Sequence, residues 1–340
     1  MGFRGSVTEN GSEKLAVSKF SYTLDDQSFT MRRKAEGSPK YELESDADPF
    51  RFVRSLGRAW DLPAPVKCYG FPDQVYAYYQ NAGFLAELQL AFEDMLKNVY
   101  YLGPLRDFPQ RHYKWTGSEP ADMGRRGERV VDALLASRER GPSVSPGYKR
   151  KRQTLEERVA HWLKELGLIH EFTVEAIAAD SKLYHVRVQK SPGTAKVLIT
   201  DVGFGVSQIL PVLVLCYYVP EGSTILLEQP EIHLHPSVQS GLADVLIDVM
   251  KNRHVQIILE SHSEHLLRRL QRRIAEQQLK PDDAALYFCD MDGSGSTLTP
   301  LDVDLYGNIK NWPKDFFGNE MEDIAAMSQA GMRRRRVSEE

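Results

Sequence analysis

Two carboxylates stand where an acidic ligand-binding edge would need them. Thr224-Ile-Leu-Leu-Glu228-Gln-Pro-Glu231 is an apolar run that ends in one acid, with a second three residues on. Such a strand delivers its terminal carboxylate to the carboxyl end of an α/β sheet, where ligands bind. Glu228 could hold Mg2+ there, directly or through water. An uncompensated carboxylate at a buried edge is expensive, so a role beyond capping the next helix is the better reading. A second apolar run, Ile257-Ile-Leu-Glu-Ser261-His262, sets His262 at the same edge, one strand on. A histidine there can sense phosphate, because its charge changes near neutral pH.

A third cluster, Asp201-Val-Gly203-Phe-Gly205-Val-Ser207-Gln208, precedes an apolar helix. Its glycines let backbone approach a ligand closely, and Ser207 near a helix start can offer a hydroxyl and amides to an anion. As a dinucleotide fingerprint it lacks the third glycine, and as a nucleophile elbow it has Ile209 where glycine is required. Alone, it is equally a glycine turn joining strand to helix. His233 and His235, which share a face in extended chain, offer a different chemistry: a metal-dependent hydrolase built with Glu231 and His262. The spacing is not His-Glu-x-x-His, so this is not a zincin pattern.

The elements that must position these residues alternate after Thr154. Thr154-Leu-Glu-Glu157 is a capping box, with Leu155, Val159, Trp162, Leu163 and Leu166 at helical spacing behind it. His170–Val188 and Lys196–Thr200 read as strands. Then come a strand at Thr224–Leu227, a helix at Pro236–Met250, a strand at Val255–Leu259, and a helix at Glu264–Gln277 capped by Ser261-x-x-Glu264. Ala284–Phe288 and Ser296–Leu301 flank Asp292-Gly293 as a hairpin at the sheet edge. Further upstream, Phe20–Glu44 reads as short strands, Gly83–Val99 as a helix and Tyr100–Arg106 as a strand and turn. Pro109–Lys151 reads as an exposed loop region interrupted by a helix at Val130–Ala136. Arg106 and Arg111 read as surface-loop arginines with no phosphate contact. The fold class expected is α/β: a mostly parallel sheet flanked by helices, with an irregular mixed N-terminal section.

Composition narrows the function. With 42% hydrophobic and 26% charged residues, the 340-residue chain is neither disordered, collagen-like nor a disulfide scaffold. A net charge of −4 creates no global basic field, so nucleic acid is not indicated, and Arg333–Arg336 reads as a solvated tail. Cys68, Cys216 and Cys289 lack metal spacing and read as buried hydrophobes in a reducing compartment. The apolar stretch Ile209–Val219 has about half of the ~20 residues needed to span a bilayer. The first residues lack the apolar core of a signal peptide, so a cytoplasmic protein without membrane contact is expected.

In this order and spacing, the three clusters resemble the C-terminal half of an ABC-type ATPase. The chain is most similar to the OLD-like AAA ATPases that carry a C-terminal domain of unknown function, common in bacterial genomes and defence islands. The resemblance implies that Gly203, Gly205, Ser207 and Gln208 form the signature motif, which contacts the γ-phosphate of ATP held by the other subunit. It implies that Ile225-Leu-Leu-Glu228 is the Walker B strand, with Glu228 supporting Mg2+. Gln229 falls where many relatives place the catalytic glutamate, Glu231 follows two positions later, and His262 matches the switch histidine. Tyr101-Leu-Gly-Pro-Leu-Arg106, Tyr113–Gly117 and Gly307–Phe317 also look like this subgroup.

Two departures accompany the resemblance. No Gly-x-x-x-x-Gly-Lys-Ser/Thr is present: only Lys190-Ser191 qualifies, and Tyr184 and Gln189 occupy its glycine positions. The expectation is therefore a truncated or split product lacking the Walker A lobe. Gln229 cannot act as a general base, whereas Glu231 could if geometry allows. The domains expected are 1–100, a remnant of the first lobe with inserted strands and a helix; 101–303, the C-terminal half of the ATPase domain; and 304–340, a segment with a basic tail. The function implied is an ATP-driven dimer switch acting on an effector nuclease or other protein partner. The alternative is a hydrolysis-deficient remnant that only binds a partner.

Overall fold

The computed structural model describes residues 2–10, 14–57, 60–141, 143–292, 295–313, 316, 326–330 and 334. The chain divides into two compact units, Met1–Val99 and Tyr100–Glu340.

In the first unit, β1 (Gly2–Asn10), β2 (Lys14–Leu24), β3 (Gln27–Arg33) and β4 (Tyr41–Ser45) form an antiparallel meander. Asp25 and Asp26, at φ 48° and 64°, make the two-residue turn between β2 and β3. Two consecutive positive φ values match the right-handed twist of the flanking strands. Alternation does the rest: Phe20, Tyr22, Phe29 and Met31 are buried in one core with residues of α1 (Asp73–Tyr78) and α2 (Phe84–Lys97). This section is thus more regular than the expected irregular mixture.

In the second unit the elements follow as β5 (Val99–Leu102), β6 (Tyr113–Lys114), α3 (Val130–Arg140), α4 (Leu155–Glu165), β7 (Glu171–Ala176), β8 (Leu183–Gln189) and β9 (Val197–Leu198). Then come α5 (Phe204–Tyr218), β10 (Thr224–Glu228), α6 (Pro236–Arg253), β11 (Gln256–Glu260), α7 (Glu264–Ala275), β12 (Leu286–Asp292) and β13 (Gly295–Leu301). The strand order β11-β10-β5 makes one sheet, in which β10 and β11 run parallel, residue for residue from Thr224↔Gln256 to Glu228↔Glu260. The helices flanking this sheet complete the α/β class. A separate antiparallel sheet joins β6, β8, β7 and β9.

Helix α5 is the axis of the core, buried from Val206 to Tyr217. A helix apolar all round belongs inside a protein or a bilayer, and no helix of the described residues is long and apolar enough to cross a membrane. It packs with α3, the helix expected at Val130–Ala136, which runs on to Arg140 and buries Val130, Val131, Leu134 and Leu135 rather than lying in an exposed stretch. Gly127 permits the approach: at φ 77°, a Cβ there would lie 2.7 Å from the Pro211 Cβ. A polar network ties α4, α5 and α6 together. Arg158 Nη2 and the Tyr217 hydroxyl both donate to Asp248 at 2.5 Å, and Trp162 Nε1 donates to Tyr217 at 2.5 Å.

Several local expectations are corrected. The capping box on α4 forms, but α7 is capped by Ser263, which accepts from the Leu266 amide at 3.1 Å, while Ser261 accepts from the Ser263 amide. Only Val197 and Leu198 pair as strand, after which Ile199–Asp201 turns as a 3-10 helix. The β12–β13 hairpin is a two-stranded sheet of its own rather than the edge of the main sheet. Its strands meet at Asp292↔Gly295, and Gly293 lies outside the described residues. So do Phe317, Arg333, Arg335 and Arg336. Only Cys216 is buried, which pushes its thiol up to about 12, whereas Cys68 and Cys289 are exposed.

Candidate functional site

The parallel register sets the geometry of the edge. Because β10 and β11 pair in phase, Glu228 and Glu260 stand side by side where both strands end. The chain leaves β10 sharply: Gln229 adopts φ 43° and His233 φ 63°. Left-handed backbone at residues other than glycine is strained and concentrates at functional loops. The turn is pinned to β11 by the Gln229 amide, which donates to the Glu260 carbonyl at 2.9 Å. The Gln229 side-chain amide also approaches the Glu260 carboxylate at 3.4 Å, and His262 Nε2 lies 3.8 Å from the same carboxylate. Gln229, Glu260 and His262 therefore form one small solvent-facing group beside Glu228.

Glu231 is placed differently. It is 6% exposed, and its Oε1 accepts from the His262 backbone amide at 2.9 Å. Its Oε2 is buried without a hydrogen-bond partner among the described residues. The carboxylate is turned into the protein, toward the turn that carries His262.

The glycine turn meets this edge through the loop after β10. Gly203 is the N-cap of α5, open to solvent, and a Cβ added there would touch nothing within 4 Å. Gly205 lies against the same loop, its Cβ position 3.9 Å from the His233 carbonyl. Phe204 packs between Phe108 and His233, with ring centroids 5.8 Å and 5.2 Å apart. Ser207 and Gln208, by contrast, are buried at 6% and 3% exposure. The Ser207 hydroxyl donates to the Phe204 carbonyl at 2.8 Å, so the face this turn presents outward is Gly203–Gly205. Arg111 pairs with Asp201 at 3.1 Å beside it.

Two residues that the sequence reading named without a role at the edge stand there. Tyr101, on β5, sets its hydroxyl against the Glu228 carboxylate, and that hydrogen bond is the main reason its pKa is raised. Arg106, read as a surface arginine, is 4% exposed. Its Nη1 donates to the Pro104 carbonyl at 2.7 Å and reaches the Glu228 carbonyl at 3.3 Å. The signal lay in Gly103-Pro104 directly after an apolar strand, a turn that folds the arginine back over the neighbouring strand end. The hydrolase alternative is not supported. Among the described residues no three His, Cys, Asp or Glu side chains are grouped to share a metal ion, so Glu231, His233, His235 and His262 do not form a ligand set. His235 instead pairs with Ser237 at 2.8 Å and caps α6.

An α/β unit with a parallel strand pair, acids at its carboxyl edge and a glycine turn leading into a core helix has the layout of a nucleotide-handling domain. The chain belongs to the family described as “AAA domain, putative AbiEii toxin, Type IV TA system”, which matches residues 82–268, more than half its length. Residues 279–327 match a second family, described as protein of unknown function (DUF3696). It is therefore an AAA-type ATPase domain followed by that C-terminal region, consistent with the OLD-like, ABC-type resemblance. No curated protein matches.

Among solved structures, the chain is similar to an SMC head domain from Thermotoga maritima at 10% identity and TM-score 0.37, covering 84% of this chain and 73% of that one. A second is an SMC head bound to the C-terminal winged-helix domain of ScpA, at 10% identity and TM-score 0.41, covering 87% and 78%. A third comes from work on ATP-driven dimerisation and DNA-stimulated activation of SMC ATPases, at 13% identity and TM-score 0.35, covering 44% and 83%.

Proposed function

We propose that this chain is one half of a nucleotide-driven dimer switch, supplying the signature turn and the Mg2+-side acid of a shared ATP site. The observation that carries this reading is the edge itself: Glu228 at the end of a parallel strand, flanked by Gln229, Glu260 and His262. One carboxylate is a sufficient protein contribution for Mg2+, which keeps most of its waters and takes further ligands from phosphate. Bound ATP would bring the transferable phosphoryl group. Glu228 would hold the cation, Gln229 orient water through its amide, and His262 donate toward phosphate from an exposed position. Gly203 and Gly205 would meet the nucleotide held by the second copy, with Ser207 and Gln208 supporting that turn from beneath.

The residues fit the Mg2+ side of such a site and not the β-phosphate cradle. None of the 340 residues forms a phosphate loop, so in this reading its lysine and amides come from a segment outside them. Hydrolysis would convert a dimer glued by ATP into free halves, and the partner effector would read that change. The second reading, a partner-binding protein that does not hydrolyse ATP, is favoured by Gln229, whose side-chain amide cannot accept a proton from water. Calorimetry separates them. This chain alone should bind ATP·Mg2+ weakly or not at all, and addition of a family lobe bearing the phosphate-loop lysine should create micromolar binding. Failure of that lobe to create binding supports the second reading.

A further inference from the structure

The first unit carries a cleft that the ATP reading leaves unused. It encloses about 390 Å3 between the β1–β2 ladder, the β3–β4 loop and residues 64–68. That volume suits a small-molecule site, which is typically apolar with a few placed polar groups. Each wall is fixed. Ala16 and Val17 are neighbours in β2 yet both line the cleft, which plain strand alternation forbids. The cause is a bulge: between Ser6 and Val7 the register slips past Ser18, whose hydroxyl donates to the Ser6 carbonyl at 3.0 Å. Asp61 clamps the β3–β4 loop, pairing with Lys34 at 2.5 Å and Lys40 at 3.0 Å. The third wall is closed by Val66 and Gly70, whose amides and carbonyls exchange bonds of 2.9 Å and 2.8 Å.

The charges on this lining are of one sign. Val7, Pro39, Ala64 and Pro65 add apolar surface, and no carboxylate lines the cleft among the described residues. The charge of Lys67 is met by Glu93 at 3.5 Å, beside the Tyr69 hydroxyl to which it donates at 2.8 Å. Arg33 is held differently. The buried Tyr41 donates its hydroxyl to the Val17 carbonyl at 2.6 Å and accepts from Arg33 Nε and Nη2, both at 3.2 Å. A neutral phenol therefore occupies one edge of the guanidinium. Among the described residues Nη1 meets no acceptor and the cation no acid.

We propose that this cleft binds a small amphipathic carboxylate, with its hydrocarbon part on the valine, alanine and proline walls and its carboxylate on the open Nη1–Nη2 edge of Arg33. That edge presents two parallel N–H donors, which match the two oxygens of a carboxylate. Tyr41 fixes the guanidinium in advance, so little ordering is left for the ligand to impose. The cleft belongs wholly to the first unit, and its occupancy does not depend on the ATP reading.

Cys68 reports occupancy, because it is exposed and lines the cleft, and Cys289 is an exposed control outside it. The test is alkylation of the full chain with octanoate as the probe, the two cysteine peptides being followed by mass spectrometry. A ligand this small should reach a dissociation constant of about 1 mM. At several times that concentration octanoate is expected to slow Cys68 alkylation about threefold or more, with Cys289 unchanged. Octan-1-ol keeps the chain without the charge and inorganic phosphate keeps charge without the chain, so each should slow Cys68 less than about 1.5-fold. Arg33→Gln changes a half-buried side chain and should abolish the protection while moving the melting temperature by less than about 3 °C. Ala64→Phe, which fills the cleft from an exposed position, should abolish it too. The proposal is overturned if octanoate leaves Cys68 unprotected, or slows both cysteines alike. It is equally overturned if octan-1-ol or phosphate protects as strongly as octanoate, or if protection survives Arg33→Gln. Should Arg33→Gln fail to fold, Ala64→Phe decides: lost protection supports the site and retained protection opposes it.

Discussion

At the scale of single residues, the carboxylate and histidine edge makes definite demands. Gln229 can orient water but cannot accept a proton. With the phosphate loop supplied, Gln229→Glu should therefore raise the single-turnover hydrolysis rate, toward the ~10²–10⁴-fold that a general base typically contributes. The gain depends on a glutamate tolerating the φ of 43° found there, so the amide contact to Glu260 should persist in the variant's structure. His262→Ala should slow hydrolysis while changing stability by less than about 0.5 kcal/mol, because the ring is 78% exposed. Thiol labelling checks the interior independently. Cys68 and Cys289 should react in the native protein, and Cys216 only after denaturation, since burial drives its thiol up to about 12.

At the scale of elements, the strand and helix pattern from Thr154 onward was legible because α4, α6 and α7 start at side-chain caps and β10 and β11 are short apolar runs. What the sequence could not show was which charged residues fold inward. Arg106 and Arg158 are charged residues beside turns and helix starts, and only the tertiary arrangement decides that one donates to the Glu228 carbonyl and the other meets Asp248. The burial of Ser207 was hidden for a related reason: the apolar run after it masks the helical phase, so one turn separates the exposed Gly203 from a buried serine. The hairpin at β12–β13 was legible as a hairpin, but its separation from the main sheet depends on pairing no local pattern reveals.

The α4–α5–α6 network carries the element-scale predictions. Asp248→Ala strands Arg158, at 4% side-chain exposure, and should cost about 3–5 kcal/mol in chemical denaturation. Burial first, then the Asp248 charge, raises the Tyr217 phenol well above its ordinary value. The folded phenol stays protonated where the unfolded one ionises near pH ~10, so its stabilising contribution is full below that pH and is lost as pH rises past it. Tyr217→Phe should flatten this alkaline loss in denaturation midpoints measured above about pH 10. A midpoint curve unchanged by the substitution would show that Tyr217 does not drive the alkaline transition.

At the scale of the whole molecule, the proposed function gives a role to two features of one copy, the open glycine turn and the carboxylate edge at Glu228. Its central claim is that they serve ATP sites shared between two copies. Gly203 gives the cleanest probe, because a side chain there meets no neighbour within 4 Å, whereas an arginine at the buried Ser207 would disturb α5. The deciding measurement is sedimentation of the chain joined to a family lobe bearing the phosphate-loop lysine, with and without ATP·Mg2+, as wild type and as Gly203→Arg. The account predicts that ATP·Mg2+ converts the wild-type species from monomer to dimer and that Gly203→Arg stays monomeric with an unchanged melting temperature. Equal ATP-dependent dimerisation of both proteins, or none by the wild type once ATP is bound, would contradict it.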